Sequence, residues 1–186
     1  MRGDVMSDLP PALRFSHFGF FVRDAAVMED FYTRVLGMVV TDRGRLGAAE
    51  LVFMSRDPEE HHQIVMVSGR PPEAQFNPIN QISFRAPTLE ALRTLRRRLD
   101  GERASELLAA THGNAISVYF RDPEGNRVEV FFDTPWYCRQ PLREPIDLEL
   151  PDGELMAHAE AIARATPDFK PRAQWVAEMR ARMGVA

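Results

Sequence analysis

Six side chains in this sequence are of the types that hold metal ions and move protons: His17, His62, Gln81, His112, Tyr119 and Glu129. Glu129 is the most telling, because it interrupts the apolar run VEVFF, where a buried carboxylate without a partner is costly. Imidazole, carboxylate and amide oxygen form a donor set suited to a divalent ion such as Fe(II), Mn, Zn, Ni or Co. His17 and Glu129 are the leading ligand candidates, with His62 and Gln81 sharing the remaining positions. Tyr119, on the strand before Glu129, is placed to donate a hydrogen bond to a substrate oxygen, and His112, in the stretch THGN, to act as acid or base at a pocket rim. Each has a plainer use too: a core histidine at 17, a solvent-facing member of the His61-His62 pair, a packed tyrosine at 119, a turn histidine at 112.

The elements that must position these groups occur twice. Residues 14–23 (RFSHFGFFVR) are aromatic and β-rich, after which Asp24 caps a helical run with Val27, Phe31 and Val35 on one face and Gly37 closing it. Three β-like runs follow at 38–41, 50–55 and 61–67, with a glycine-bearing connection at 42–47. A Pro- and Gly-rich linker spans 69–78. The order then begins again: a strand at 80–85, a helix LEALRTLRRRL capped by Thr88 and closed by Gly101, then strands near 106–109, at 115–121 and at 127–132. The last two are joined by the turn Asp122-Pro123-Glu124-Gly125-Asn126. From His17 to Gly37 is 20 residues, as it is from Gln81 to Gly101, so His17 and Gln81 occupy matching places. His62 lies on the run equivalent to the one bearing Glu129.

Neither half buries both faces of a sheet alone. The expected fold is therefore α+β: two βαβββ modules, 13–68 and 79–133, paired into one curved mixed sheet around a central metal cavity. A pseudo-twofold axis through it brings the four ligand candidates together. Alternation supports the pattern, since Val128 and Val130 share one strand face while Arg127, Glu129 and Phe131 share the other, as do Gln81, Ser83 and Arg85 on theirs. Residues 1–12 read as a flexible arm and 134–186 as an extension with two helices, near 153–164 and 173–183.

The chain has 186 residues, 45% of them hydrophobic, enough for a core without disulfides, and its one cysteine, Cys138, has no internal partner. Net charge is −4 with both signs interspersed, which argues against a nucleic-acid surface and for a small-molecule substrate. No apolar stretch approaches the length of a membrane helix or a signal core, so the expected setting is a cytoplasmic protein without a membrane partner.

At these residues the chain resembles the vicinal oxygen chelate superfamily, which includes glyoxalase I, methylmalonyl-CoA epimerase, fosfomycin and bleomycin resistance proteins and type I extradiol ring-cleavage dioxygenases. The resemblance covers roughly residues 13–133. It is carried by YFRDPEGNRVEVF, similar to the family's last hairpin with its glutamate ligand, and by SHFGFFVRD with FYTRVLGM, similar to its opening strand and helix. The resemblance implies His17 and Glu129 as metal ligands and Tyr119 as the tyrosine that assists extradiol cleavage. The stretch His61-His62-Gln63-Ile64 looks like the one carrying an acid or base histidine in those dioxygenases. Gln81 departs from them, standing where they place a second histidine ligand. Either His62 coordinates, with Gln81 as a fourth or outer ligand, or Gln81 replaces that histidine and His62 moves protons; the first is preferred, because glyoxalase- and epimerase-like relatives draw a ligand from the His62-type strand. The implied activity is an Fe(II)-dependent extradiol-type dioxygenase acting on a catechol-like diol in a homodimer. The alternatives are a metal-dependent lyase or isomerase and a non-catalytic binding protein of the resistance type.

Overall fold

The computed structural model describes residues 13–74 and 76–184; the arm expected at 1–12 lies outside them. The first module runs β1 (Phe18–Val22), α1 (Ala25–Asp30, continued by a π-helical turn over Phe31–Val35), β2 (Val39–Leu46), β3 (Ala49–Ser55) and β4 (Ile64–Ser68). The second repeats it as β5 (Ile82–Arg85), α2 (Leu89–Arg98), β6 (Ser105–Thr111), β7 (Ala115–Arg121) and β8 (Arg127–Asp133). Local chemistry sets these boundaries. Asp24 accepts a hydrogen bond from the Val27 amide at 3.0 Å and Thr88 one from the Ala91 amide at 3.1 Å, so both helices start where an N-cap is available. Gly37 and Gly101 close them with φ of +71° and +80°.

Two expected boundaries shift. Strand β2 continues to Leu46, through the stretch read as a connection, because β3 pairs with it as far as Ala49. Strand β4 begins at Ile64, so His61 and His62 precede it instead of lying on it.

The fold is mixed α+β, in two separate sheets instead of the single curved sheet expected. One has the order β2-β3-β4-β1 and the other β10-β6-β7-β8-β5, so β1 and β5 are each edge strands. In each module the first strand runs parallel to the last, with Phe18 opposite Ile64 and Ser83 opposite Glu129. The reason for the separation is the packing of α1. Its fully buried Tyr32 meets Phe20 of β1 and Phe84 of β5 at ring-centroid distances of 6.1 and 6.5 Å, while Phe31 meets Phe120 of β7 at 6.1 Å. The buried stripe of α1 is thus Met28, Phe31, Tyr32 and Val35, with Val27 at its margin.

The extension packs on the second module. It comprises β9 (Trp136–Tyr137), β10 (Glu144–Pro145), which adds an edge to the second sheet beside β6, α3 (Asp152–Arg164), β11 (Lys170–Pro171) and α4 (Arg172–Met183). Its anchor is Gly113, whose carbonyl accepts from Thr134 Oγ1 at 2.7 Å and Trp136 Nε1 at 2.5 Å. Gly113 has φ +72°, and a Cβ there would lie 2.3 Å from Cys138 Sγ and 3.2 Å from Ala163 Cβ. Gly113→Ala is therefore expected to cost about 3 kcal/mol, combining left-handed backbone strain with an overlap that only displacement of the extension relieves. Gly47→Ala is the control, since it has φ +60° and nothing within 4 Å. It should cost about 1 kcal/mol in the same urea titration.

Among the described residues no helix is long and apolar enough to cross a membrane.

Candidate functional site

The pleat of β8 sends Val128 and Val130 into the core and Glu129 to the opposite sheet face, where it is 7% exposed. Four donors surround its carboxylate. Oε1 accepts from Ser117 Oγ at 2.8 Å and Tyr119 OH at 2.6 Å, and Oε2 from Ser83 Oγ at 2.7 Å and Gln81 Nε2 at 2.9 Å. Register explains the convergence: Tyr119 on β7 and Ser83 on β5 stand directly opposite Glu129, and Ser117 and Gln81 lie one pleat away. These bonds offset the desolvation of a buried charge.

The network extends one residue further. His112 Nε2 lies 2.7 Å from Tyr119 OH, and its Nδ1 lies 2.5 Å from the Leu142 carbonyl of the extension. A carbonyl oxygen only accepts, so Nδ1 carries a hydrogen. With Tyr119 donating to Glu129, a continuous hydrogen-bonded chain links Leu142, His112, Tyr119 and Glu129. Nε2 also lies 3.7 Å from Glu129 Oε1. Burial first, and then the bond to Glu129, pushes the Tyr119 phenol well above its ordinary pKa of 10.0. Tyr119 thus stays a neutral hydrogen-bond donor across the physiological range.

A second group forms on the first module. His17, exposed just before β1, packs against His62 with ring centroids 4.2 Å apart and the planes tilted by 50°. His62 also meets Phe53 edge-on at 5.1 Å, and its Nδ1 lies 2.9 Å from that of His61. Burial, then the neighbouring His17 and His61, lowers the pKa of His62 below 6.5, which keeps its imidazole in the neutral, lone-pair-bearing form that binds metals.

Of the sequence-derived candidates, Gln81, His112, Tyr119 and Glu129 are brought together by hydrogen bonds, and His17 and His62 by a tilted ring contact. The two groups do not meet within one chain. Among the described residues no set of three or more His, Cys, Asp or Glu side chains is close enough to hold a metal ion. The two groups therefore share no ligand set within one chain among the described residues, because the modules join through α1 and the β7–β8 turn and leave edges β1 and β5 unpaired with each other. Ser83 and Ser117 are the partners that residue type alone overlooks; their signal is strand alternation, which puts them on the faces of Gln81 and Tyr119.

Paired βαβββ modules with a carboxylate on the last hairpin define a known class of protein. Residues 14–130 match the Glyoxalase/Bleomycin resistance protein/Dioxygenase superfamily, and the chain belongs to it. It is similar to biphenyl-2,3-diol 1,2-dioxygenase 3 of Rhodococcus globerulus, with 29% identity over 125 residues, 64% of this chain and 63% of that protein. The chain thus spans less than two thirds of that relative. Among solved structures it is similar to a glyoxylase/bleomycin resistance protein/dioxygenase domain from Frankia sp. EAN1pec, with TM-score 0.54 and 21% identity over 64% of this chain and 96% of that one. The fosfomycin resistance protein FosX of Listeria monocytogenes, solved with Mn(II), gives TM-score 0.52 and 17% identity over 68% of this chain and 95% of that one. At such identities these two likenesses speak for the fold alone.

Proposed function

We propose that the protein is a metal-dependent ring-cleavage dioxygenase of the extradiol type, acting on a catechol-like diol, with a metal site completed between two copies of the chain. The observation that carries the reading is the chain His112–Tyr119–Glu129: a phenol held neutral beside a carboxylate, with an imidazole behind it. The 29% identical diol dioxygenase supports it.

The donor set suits a divalent ion, preferably Fe(II), with Mn, Zn, Ni and Co as other occupants. Two imidazoles, His17 and His62, and the carboxylate of Glu129 make a two-histidine, one-carboxylate set, with Gln81 as a fourth or outer donor. An isologous dimer supplies what one chain lacks. Edge strands β1 and β5 are open, and Phe15 and Phe21 are 83% and 62% exposed beside the His17 group. Pairing β1 of each copy with β5 of the other covers these aromatics and completes two equivalent sites. A bound ion would hold and acidify the diol oxygens. Tyr119 then donates a hydrogen bond to an oxygen of the reacting group, and His112, behind it, supplies or takes a proton through the Tyr119 hydroxyl.

Gln81 favours a second reading, a lyase or isomerase in which the same residues shuttle a proton and a bound ion would supply stabilisation of developing negative charge. Anaerobic loading with Fe(II), followed by oxygen uptake over a panel of catechols including biphenyl-2,3-diol, separates the two. Uptake supports ring cleavage. A metal-loaded dimer that consumes no oxygen with any diol overturns it, and solvent-deuterium incorporation without oxygen uptake favours the second.

A further inference from the structure

We infer that the substrate carries an anionic substituent, a carboxylate on the aromatic ring, received by Arg127 together with Arg121 and Arg143; this rests on the reading proposed above. Arg121 and Arg127 stand directly opposite one another on β7 and β8. They share the sheet face of the opposed pair Tyr119 and Glu129, two residues and thus about 7 Å further along the strands. A cavity of about 180 Å³ touches Tyr119, Arg121, Arg127 and Arg143 together, with Glu106, Leu108 and Phe120 completing its wall. One space therefore borders both Tyr119, whose hydroxyl reaches Glu129, and three arginines.

The charges in this wall do not balance. Like charges directly opposite on neighbouring strands repel, and such pairs persist when each is compensated. Arg121 is compensated, its Nε donating to Glu106 Oε2 at 2.9 Å and its Nη1 to the Gly125 carbonyl at 3.1 Å. Among the described residues Arg127 has no carboxylate partner, and Arg143 only leans over the Tyr119 ring, 5.9 Å from its centroid. Glu106 is the one acid facing three cations. On their other side Arg121 and Arg127 also border a cavity of about 410 Å³ with Arg23 and Arg70, against Glu124, so arginines outnumber acids in its lining too.

A planar guanidinium fork matches a carboxylate in shape and charge. The step of about 7 Å along the strands from the Tyr119–Glu129 pair to Arg127 suits one aromatic ring, its diol directed to the site and its carboxylate to the arginines. A neutral diol would leave the cations uncompensated.

The test is calorimetric binding of catechol, 3,4-dihydroxybenzoate and benzoate to the metal-loaded protein. The dihydroxybenzoate should bind at least about tenfold tighter than catechol, the range of a charge-assisted pair. Arg127→Gln should erase that advantage and leave catechol affinity unchanged, while Arg127→Lys keeps part of it. Unfolding of Arg127→Gln at the wild-type temperature shows that the fold is intact. Equal affinities in the wild type, or an advantage that survives Arg127→Gln, overturn the inference. Benzoate makes the two failures distinguishable: Arg127-dependent benzoate binding without oxygen uptake by any diol keeps the arginine subsite and removes ring cleavage. Oxygen uptake with no preference for the carboxylated diol does the reverse.

Discussion

Glu129→Gln is expected to lower diol turnover by at least about a thousandfold while leaving the metal-free fold close to wild-type stability. The two effects separate because of what surrounds the carboxylate. Glutamine keeps one oxygen and places an NH₂ against either Ser117 and Tyr119 or Gln81 and Ser83, all four of which donate to the native carboxylate. Three of those donors are hydroxyls that can turn to accept, and the fourth is an amide that can flip, so the structural cost is about 1 kcal/mol. The proposed metal site would lose its anionic ligand outright. Divalent ion at a hundred times its Kd should stabilise the wild type by about 2.7 kcal/mol, and that gain should vanish in Glu129→Gln. The variant also tests whether the site spans two chains. In a refolded equimolar mixture of Glu129→Gln and His17→Ala chains, half of the dimers are mixed, and one of the two sites in each is intact. The mixture should recover roughly a quarter of wild-type activity although neither variant alone is active. No recovery would mean that His17 and Glu129 serve the same chain's site or that His17 is not a ligand.

Local signals carried far in this sequence. Asp24 and Thr88 cap their helices, Gly37 and Gly101 close them, and β7 and β8 occupy 115–121 and 127–133, as alternation requires. The same alternation placed Gln81, Tyr119 and Glu129 on one face, which is why the Glu129 network was legible. What was not legible is how the modules meet. A βαβββ repeat fixes each sheet's internal order but leaves two ways to join the pair: edge to edge, or through the helices. The deciding contacts, Tyr32 with Phe84 and Phe31 with Phe120, are long-range aromatic packings without a sequence period to announce them. Hence His17 and Glu129 were expected in one cavity and are apart in one chain. His61 and His62 were placed on a strand because HHQIVMV reads as β, yet pairing with β1 begins only at Ile64. Leu142 as the partner of His112 was equally hidden, since the extension has no equivalent in the repeat.

Asp122→Ala is expected to destabilise the protein by about 3 to 5 kcal/mol, more than any other single change at the module junction. The sequence marks Asp122 as the start of an ordinary turn; the structure makes it a latch between modules. Only 3% exposed, it accepts four hydrogen bonds. The amides of Glu124 and Asn126 donate to Oδ1 at 3.0 and 2.9 Å, and Asn126 Nδ2 and the buried Tyr32 hydroxyl donate to Oδ2 at 2.7 and 3.1 Å. Beside it Glu124 accepts from the amides of Arg23 and Asp24 at 2.6 and 2.8 Å, so the β7–β8 turn grips both ends of the β1–α1 connection. Alanine leaves those donors buried without acceptors. Tyr32→Phe in the same background should recover about 1 kcal/mol by removing one of them, a coupling that a double-mutant cycle reads directly. Asp122→Asn should cost about half as much, because it keeps Oδ1 for the two amides and Tyr32 can rotate to accept. The pH dependence follows from burial, which outweighs these bonds and raises the carboxyl above its ordinary value of 3.8. Between the two values the folded protein holds a proton that the unfolded chain has released, so the stability that Asp122 lends is largest below 3.8 and falls as pH rises through the raised value. Urea titrations should therefore show the gap between wild type and Asp122→Ala narrowing from pH ~4 to neutrality, and a gap that widens instead would place the charged carboxylate, not its burial, as the dominant influence at the latch.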